Sequence, residues 1–139
     1  LSANSKASKE SINAVKEAFS AIGICVEVKE KDIDAVTALS GSGPAYIFLL
    51  QEMIFNLAGP LKIEKKKLEV LIKKLFLGSA LMSSNSSSDF KELCDSVTSK
   101  KGTTEAGLDV LKKNDSFQKI MTKTIKAASK RSKELSREE

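Results

Sequence analysis

Fourteen consecutive residues, Ala45 to Ala58, include only three strongly polar side chains: Gln51, Glu52 and Asn56. Leu, Met, Ala and Gln favour a helix. On a helix, Tyr46, Phe48, Leu50 and Ile54 span most of the circumference. A helix that is apolar all round must be covered all round. The whole chain has 139 residues, about one domain's worth. That is enough for a core without a metal or disulfide staple, but too little to surround this helix. A second subunit is the expected cover. Pro44 stands at the expected first helical position, where its missing N–H costs nothing. Ser40-Gly41-Ser42-Gly43 before it reads as a flexible break, and Gly59-Pro60 after it as a stop. The longest uninterrupted apolar run, Ala45 to Leu50, is six residues. A membrane span needs about 20, so no membrane partner is expected.

The rest of the chain reads mostly as helix. Ile12, Val15, Phe19 and Ile22 recur at helical spacing over residues 8–21, with Gly23 as the expected C′ residue. Ile24-Cys25-Val26-Glu27-Val28 then reads as a short β-branched strand. One strand makes no sheet, so its partners are expected elsewhere. The chain also begins at Leu1 rather than Met, and further sequence is expected upstream. From Lys31 onward the patterns are helical: Asp32 to Leu39, Ala45 to Ala58, Glu64 to Met82, Asp89 to Cys94, a helix from Thr103 or Thr104, and a last one capped by Asn114 or Asp115. In the third of these, Leu68, Leu71, Ile72, Leu75, Phe76 and Leu81 form the apolar side. Ser83 to Ser88 reads as a polar loop.

Composition removes several functions. With no His, a Ser-His-Asp triad, His general-base chemistry and His-ligated zinc are excluded. Cys25 and Cys94 lie far apart and form no ligand cluster, so no metal site is expected. They fit buried thiols in a reducing compartment, and a cytoplasmic location. Residues 100–139 carry eleven bases against six acids, a balance that invites nucleic acid. The chain has no Trp and one Tyr, and no aromatic interleaves with the basic runs as stacking would require. Nucleic acid is therefore not an expected partner, and Lys65-Lys66-Lys67 reads as a solvated helix face.

Two segments are able to carry chemistry. Gly41-Ser42-Gly43 lacks the third small residue of a dinucleotide fingerprint, because Tyr46 stands there. A hinge before a buried helix explains it, and a secondary role beside a ligand stays open. The run Asp95 to Leu108 reads as a loop feeding a helix N-terminus. Backbone N–H groups there converge on anions, helped by the helix dipole. Thr98, Ser99, Thr103 and Thr104 add hydroxyls. An ordinary capped helix and a ligand site both remain open on these residues alone.

Ala38-Leu39-Ser40-Gly41-Ser42-Gly43-Pro44-Ala45-Tyr46 resembles the ALSGSGPAY segment of pyrroline-5-carboxylate reductases. Asp95 to Leu108 resembles that family's D-x-V-T-S-P-G-G-T-T-x-A-G-L signature, and Arg131-Ser132-Lys133-Glu134-Leu135 its R-S-x-E-L. The three motifs stand in order at compatible spacing across residues 30–139.

The resemblance implies a mainly α fold: a helical dimerisation and substrate-binding domain with interlocking helices at 31–139, preceded at 1–30 by the closing helix and strand of an α/β Rossmann-type cofactor domain. It implies a full-length enzyme that reduces 1-pyrroline-5-carboxylate to L-proline with NADP or NAD as cofactor, acting as a homodimer or a larger assembly of dimers. The main cofactor site would lie upstream of Leu1, so this stretch alone should be inactive and does not disclose the NADH or NADPH preference. The substrate carboxylate would sit on backbone N–H groups around Val97, Ser99, Gly102 and Thr103, with Thr98 contributing to the pocket. The Thr104 hydroxyl would meet the ring nitrogen as the catalytic group. Two departures fall at this site. The family has Pro-Gly where Lys100-Lys101 stands, a costly exchange if position 101 needs a positive φ. The Ser83–Ser88 loop also lacks the Glu that members often carry. The alternative is a homologue whose site has drifted and which acts as a non-enzymatic dimerisation module.

Overall fold

The computed structural model describes residues 1–58 and 62–138, which form two compact units. One comprises Leu1–Gly43 with Lys123–Glu139, the other Pro44–Thr122. The expected stop at Gly59-Pro60 lies outside the described residues.

In the first unit, α1 spans Lys9–Ser20. Ser8 caps it by accepting the Ser11 N–H at 3.2 Å. Gly23 is not the left-handed C′ residue expected, since no described glycine has a positive φ. The Ile22 N–H closes the helix end on the Phe19 carbonyl at 3.1 Å instead. The expected strand at 24–28 is likewise not formed, and no strand occurs among the described residues. The reason is the missing neighbour. Among the described residues, only Leu1 hydrogen-bonds the backbone of this segment: its ammonium donates to the Val26 carbonyl at 2.8 Å, and its own carbonyl accepts the Val28 N–H at 2.9 Å. Lys16 of α1 forms an ion pair with Glu27. Ile24 is left 95% exposed.

A 3₁₀ turn at Glu30–Asp32 leads into α2, Ile33–Val36. The expected flexible break that follows is a π-helical turn at Thr37–Gly41. Its ladder is closed, not loose. The Ser42 N–H reaches back to the Thr37 carbonyl at 2.9 Å, and the Ser40 hydroxyl donates to the Val36 carbonyl at 2.9 Å. Ala38 in this turn has no exposed surface. Across this unit, the Ser132 hydroxyl donates to the Asp34 carboxylate at 2.7 Å.

α3 spans Gly43–Leu57, placing Pro44 second rather than first in the helix. Glu30–Leu57 together is a helical stretch of 28 residues with a mean hydropathy of 1.3 in its most apolar window. By length and composition alone it would cross a bilayer, which the short uninterrupted runs did not foretell. The core helix of a protein in water passes the same test.

In the second unit, α4 spans Lys65–Ser84, running into the expected serine loop. Its serines turn their hydroxyls onto the helix: Ser79 onto Leu75 at 2.9 Å and Ser84 onto Leu81 at 3.1 Å. Leu68 and Ile72 are buried and Phe76 half-buried, a stripe at i, i+4, i+8. Leu71, Leu75 and Leu81 of the same expected face are exposed. None of α3 is buried: Tyr46, Leu50 and Ile54 are half-buried, while Phe48 is 65% and Leu57 76% exposed. α5 spans Phe90–Ser96 behind a complete capping box, with the Glu92 N–H on Asp89 at 2.8 Å and the Asp89 N–H on Glu92 at 3.1 Å. α6 spans Thr103–Lys112 and α7 Ser116–Glu138. Asn114 and Asp115 between them both take left-handed conformations. Cys25 and Cys94 are free and half-buried, where fuller burial was expected.

Candidate functional site

The residues expected to hold a ligand lie on one turn, between α5 and α6. α5 ends at Ser96, and Val97 follows at φ −102°, ψ 9°. The Thr98 N–H closes on the Asp95 carbonyl at 3.0 Å, and the Thr98 hydroxyl on the Cys94 carbonyl at 2.7 Å. Lys91 pairs with Asp95 at 2.6 Å on the outer side of α5. Hydrogen bonding and charge from Lys91 hold the Asp95 carboxyl below its ordinary value, and the same contact raises Lys91.

The turn then reverses. Lys101 has φ 59°, a left-handed conformation that costs a side-chain-bearing residue about 1–2 kcal/mol. This is the position where the resembled signature has Gly. Gly102, at φ −88° and ψ 173°, is the N-cap of α6. Its N–H donates to the Ser99 carbonyl at 3.0 Å. A Cβ built on Gly102 would stand 2.9 Å from that carbonyl oxygen and would collide with the Ser99 side chain. Here glycine is required by close approach, not by φ.

Thr103 and Thr104 are the first two residues of α6, and the N-cap contributes no side chain. Among the described residues, neither threonine hydroxyl has a partner, and the N–H groups of Ser99, Thr103 and Thr104 are also open. Those of Val97 and Gly102 are committed within the turn. Of the expected ligand groups, Thr98 is thus spent on structure, while Ser99, Thr103 and Thr104 keep groups to offer. Orphan amides at the positive end of a ten-residue helix suit a carboxylate.

Glu105 was not foreseen. Its carboxylate accepts the Lys101 N–H at 2.6 Å. The signal was present: Glu at the third helical position is where a capping box reaches back, and here it reaches one residue further. No group of three or more potential metal ligands occurs among the described residues. The R-S-x-E-L stretch serves unit one: Arg131 pairs with Glu134 and Glu138, each at 3.3 Å, and Ser132 bonds Asp34.

A family model described as "Pyrroline-5-carboxylate reductase dimerisation" matches residues 30–135. The chain belongs to this family. A pyrroline-5-carboxylate reductase of Staphylococcus haemolyticus is 38% identical over 132 residues, 95% of this chain and 47% of that protein. Among solved structures, a pyrroline-5-carboxylate reductase from Coxiella burnetii is 36% identical, with a TM-score of 0.90 over 96% of this chain and 50% of that one. A Plasmodium falciparum pyrroline carboxylate reductase, solved with NADP bound, is 32% identical with a TM-score of 0.82, over 95% of this chain and 53% of that one. The chain therefore spans about half the length of the curated relatives it matches. Membership in a dimerisation family also gives the apolar stretch Glu30–Leu57 a reading that needs no membrane.

Proposed function

We propose that this chain is the dimerisation and substrate-binding half of an NAD(P)H-dependent pyrroline-5-carboxylate reductase, which reduces the C=N bond of 1-pyrroline-5-carboxylate to give L-proline. The observation that carries this reading is the turn from Val97 to Thr104. It is tightly closed, yet it leaves the amides of Ser99, Thr103 and Thr104 open at a helix N-terminus. Lys101, which stands where the resembled signature has Gly, adopts a left-handed conformation. The Lys100-Lys101 departure therefore leaves the turn formed, which speaks against a drifted, non-enzymatic homologue.

In this reading the substrate carboxylate rests on the open amides, with Lys100 and Lys101 adding positive charge nearby. The Thr104 hydroxyl hydrogen-bonds the ring nitrogen and orients the imine. The chain's share of catalysis is position and charge. Among the described residues, Gly41 lies in a π-turn, Gly43 opens a helix, and no glycine has a positive φ, so these glycines form no cradle for the pyrophosphate of NADP or NAD. We assign the cofactor to a Rossmann-type domain outside residues 1–139. Residues 1–30 would close that domain, a role consistent with the unpaired segment at 24–28 and its exposed Ile24. The exposed face of α3 is assigned to a second copy of the chain, in a homodimer or a larger assembly of dimers. Two free thiols suit a reducing, cytoplasmic setting.

The test is direct. The full-length protein should oxidise NADPH or NADH only when 1-pyrroline-5-carboxylate is present, and the 139-residue chain should not. Turnover by the short chain, or none by the long one, would refute the assignment.

A further inference from the structure

We propose that Glu105 is a positioning residue of the substrate turn: its carboxylate holds the left-handed Lys101 amide and so keeps the amides of Ser99, Thr103 and Thr104 free for the substrate carboxylate. This rests on the reductase reading above and assigns a role to a residue outside the expected ligand set. Lys101 carries a side chain at φ 59°, a conformation most residues leave unless something holds them. What holds it is the 2.6 Å bond from its N–H to Glu105. A carboxylate acceptor makes such a bond stronger than a neutral one. Glu105 is the third residue of α6, so its charge also lies at the positive end of the helix dipole. The neighbouring link, from the Gly102 N–H to the Ser99 carbonyl at 3.0 Å, depends on the same reversal of the chain. Release of Lys101 to a right-handed conformation would pull this link apart and realign the amides on either side.

Glu105 also brings a negative charge beside a site meant for a carboxylate. It satisfies the Lys101 amide only, leaving the amides of Ser99, Thr103 and Thr104 open for the ligand, and the Lys100 and Lys101 ammonium groups offset its repulsion. The acceptor and the charge therefore act in opposite senses on affinity, and substitutions separate them. Glu105→Ala removes both. Glu105→Gln keeps an acceptor and removes the charge. Lys101→Gly removes the need for a clamp, because glycine takes φ 59° freely; it also removes one ammonium group, so the Glu105 penalty is read against the Lys101→Gly protein itself.

In the full-length enzyme, Glu105→Ala should raise KM for 1-pyrroline-5-carboxylate about tenfold with kcat within about twofold, the pattern of lost uniform binding. Glu105→Gln should restore KM to the wild-type value or below it. In the Lys101→Gly background the alanine penalty should shrink to less than about threefold, since the two residues act through one bond. Calorimetric titration with L-proline gives the same comparison without turnover. An unchanged KM and L-proline affinity in Glu105→Ala, a glutamine variant as weak as alanine, or an undiminished penalty beside Lys101→Gly would each overturn the proposal. A wild-type protein that binds L-proline with this mutational pattern but reduces no imine would overturn the reductase reading and leave the clamp standing.

Discussion

α3 contains no buried residue although it is apolar on every side. The turn between α5 and α6 is polar, exposed and only a few residues long, yet it is closed by bonds from the Thr98 N–H, the Thr98 hydroxyl, the Gly102 N–H and the Lys101 N–H. One element is unfinished in a single chain; the other is complete within about ten residues. The difference follows from the forces involved. Hydrophobic burial is non-directional and needs area, which a lone copy does not supply to α3. Hydrogen bonds in a turn are short-range and directional, so local sequence is enough. A helix of the first kind is finished by a partner, whereas a turn of the second kind is finished by its own residues.

The largest expected effect tests the first half of that contrast. Phe48 is 65% exposed in the single chain. If α3 stayed in water, Phe48→Glu would change stability by no more than about 0.5 kcal/mol. Covered by a second copy, it should cost about 3–5 kcal/mol, the penalty of an unpaired buried charge. Sedimentation equilibrium should show the wild type as a dimer at micromolar concentration, and the variant as a monomer with a lowered melting temperature. A well-folded wild-type monomer would break the comparison, since α3 would then need no partner.

The second half turns on Thr104. Its hydroxyl is exposed and has no partner among the described residues, so it is free to meet a ligand. In the full-length enzyme, Thr104→Ala should lower kcat as well as kcat/KM by about 2–3 kcal/mol, as when a transition-state donor is removed. Thr104→Ser should be far milder. The N-cap of α6 is Gly102 rather than a threonine, so a capping role does not explain such a loss. A Thr104→Ala enzyme with full kcat would leave the turn as mere structure.

Glycines sharpen the contrast at smaller magnitude. Gly102→Ala pushes a methyl group against the Ser99 carbonyl, 2.9 Å away, and should cost about 1–3 kcal/mol by overpacking. It should also raise KM. Gly107, in the middle of α6, has nothing within 4 Å of its missing Cβ. In a lone chain Gly107→Ala should stabilise the helix by about 1 kcal/mol. If thermal melting shows destabilisation instead, a group from outside these units packs there, and α6 joins α3 as an element finished by a partner.

The same contrast decides what was legible in the sequence. Helix positions came from apolar periodicity, and α3's need for a partner from its lack of a polar side. The turn's residues were recognised through the resembled signature, and the Gly-to-Lys101 exchange flagged the left-handed position of that turn. Three features were hidden because single contacts decide them. The π-turn at Thr37–Gly41 looks loose in a Ser-Gly-Ser-Gly run, but the Ser40 hydroxyl and the Ser42 N–H close it. The segment at 24–28 reads as a strand from its β-branched residues, but among the described residues only Leu1 hydrogen-bonds its backbone, too little to make a ladder. The Ser132–Asp34 bond joins residues 98 positions apart, with no local signature at all. Within the turn, sequence did not distinguish committed amides from open ones, because that depends on where each carbonyl points.

The smallest effect concerns acidity, and it separates the turn from its surroundings. Asp95 has its carboxyl lowered from 3.8 by Lys91, and Lys91 is raised from 10.5 by Asp95. A lowered carboxyl stabilises the fold above its ordinary value, and that contribution is lost as pH falls through the folded value, below 3.8. A raised ammonium stabilises below 10.5 and loses its effect as pH climbs beyond the folded value. The pair therefore contributes a constant, small amount from about pH 5 to pH 9, because both groups are solvent-exposed and screened. The melting temperatures of wild type and Asp95→Asn should differ slightly across that range and converge below pH 3.8. KM should be insensitive to the substitution throughout. The Thr98 N–H hangs on the Asp95 carbonyl, which Asp95→Asn leaves in place, and not on the carboxylate. A KM that shifts in Asp95→Asn would mean that the end of α5 reaches the ligand by charge. The turn would then be less self-contained than its hydrogen bonds imply.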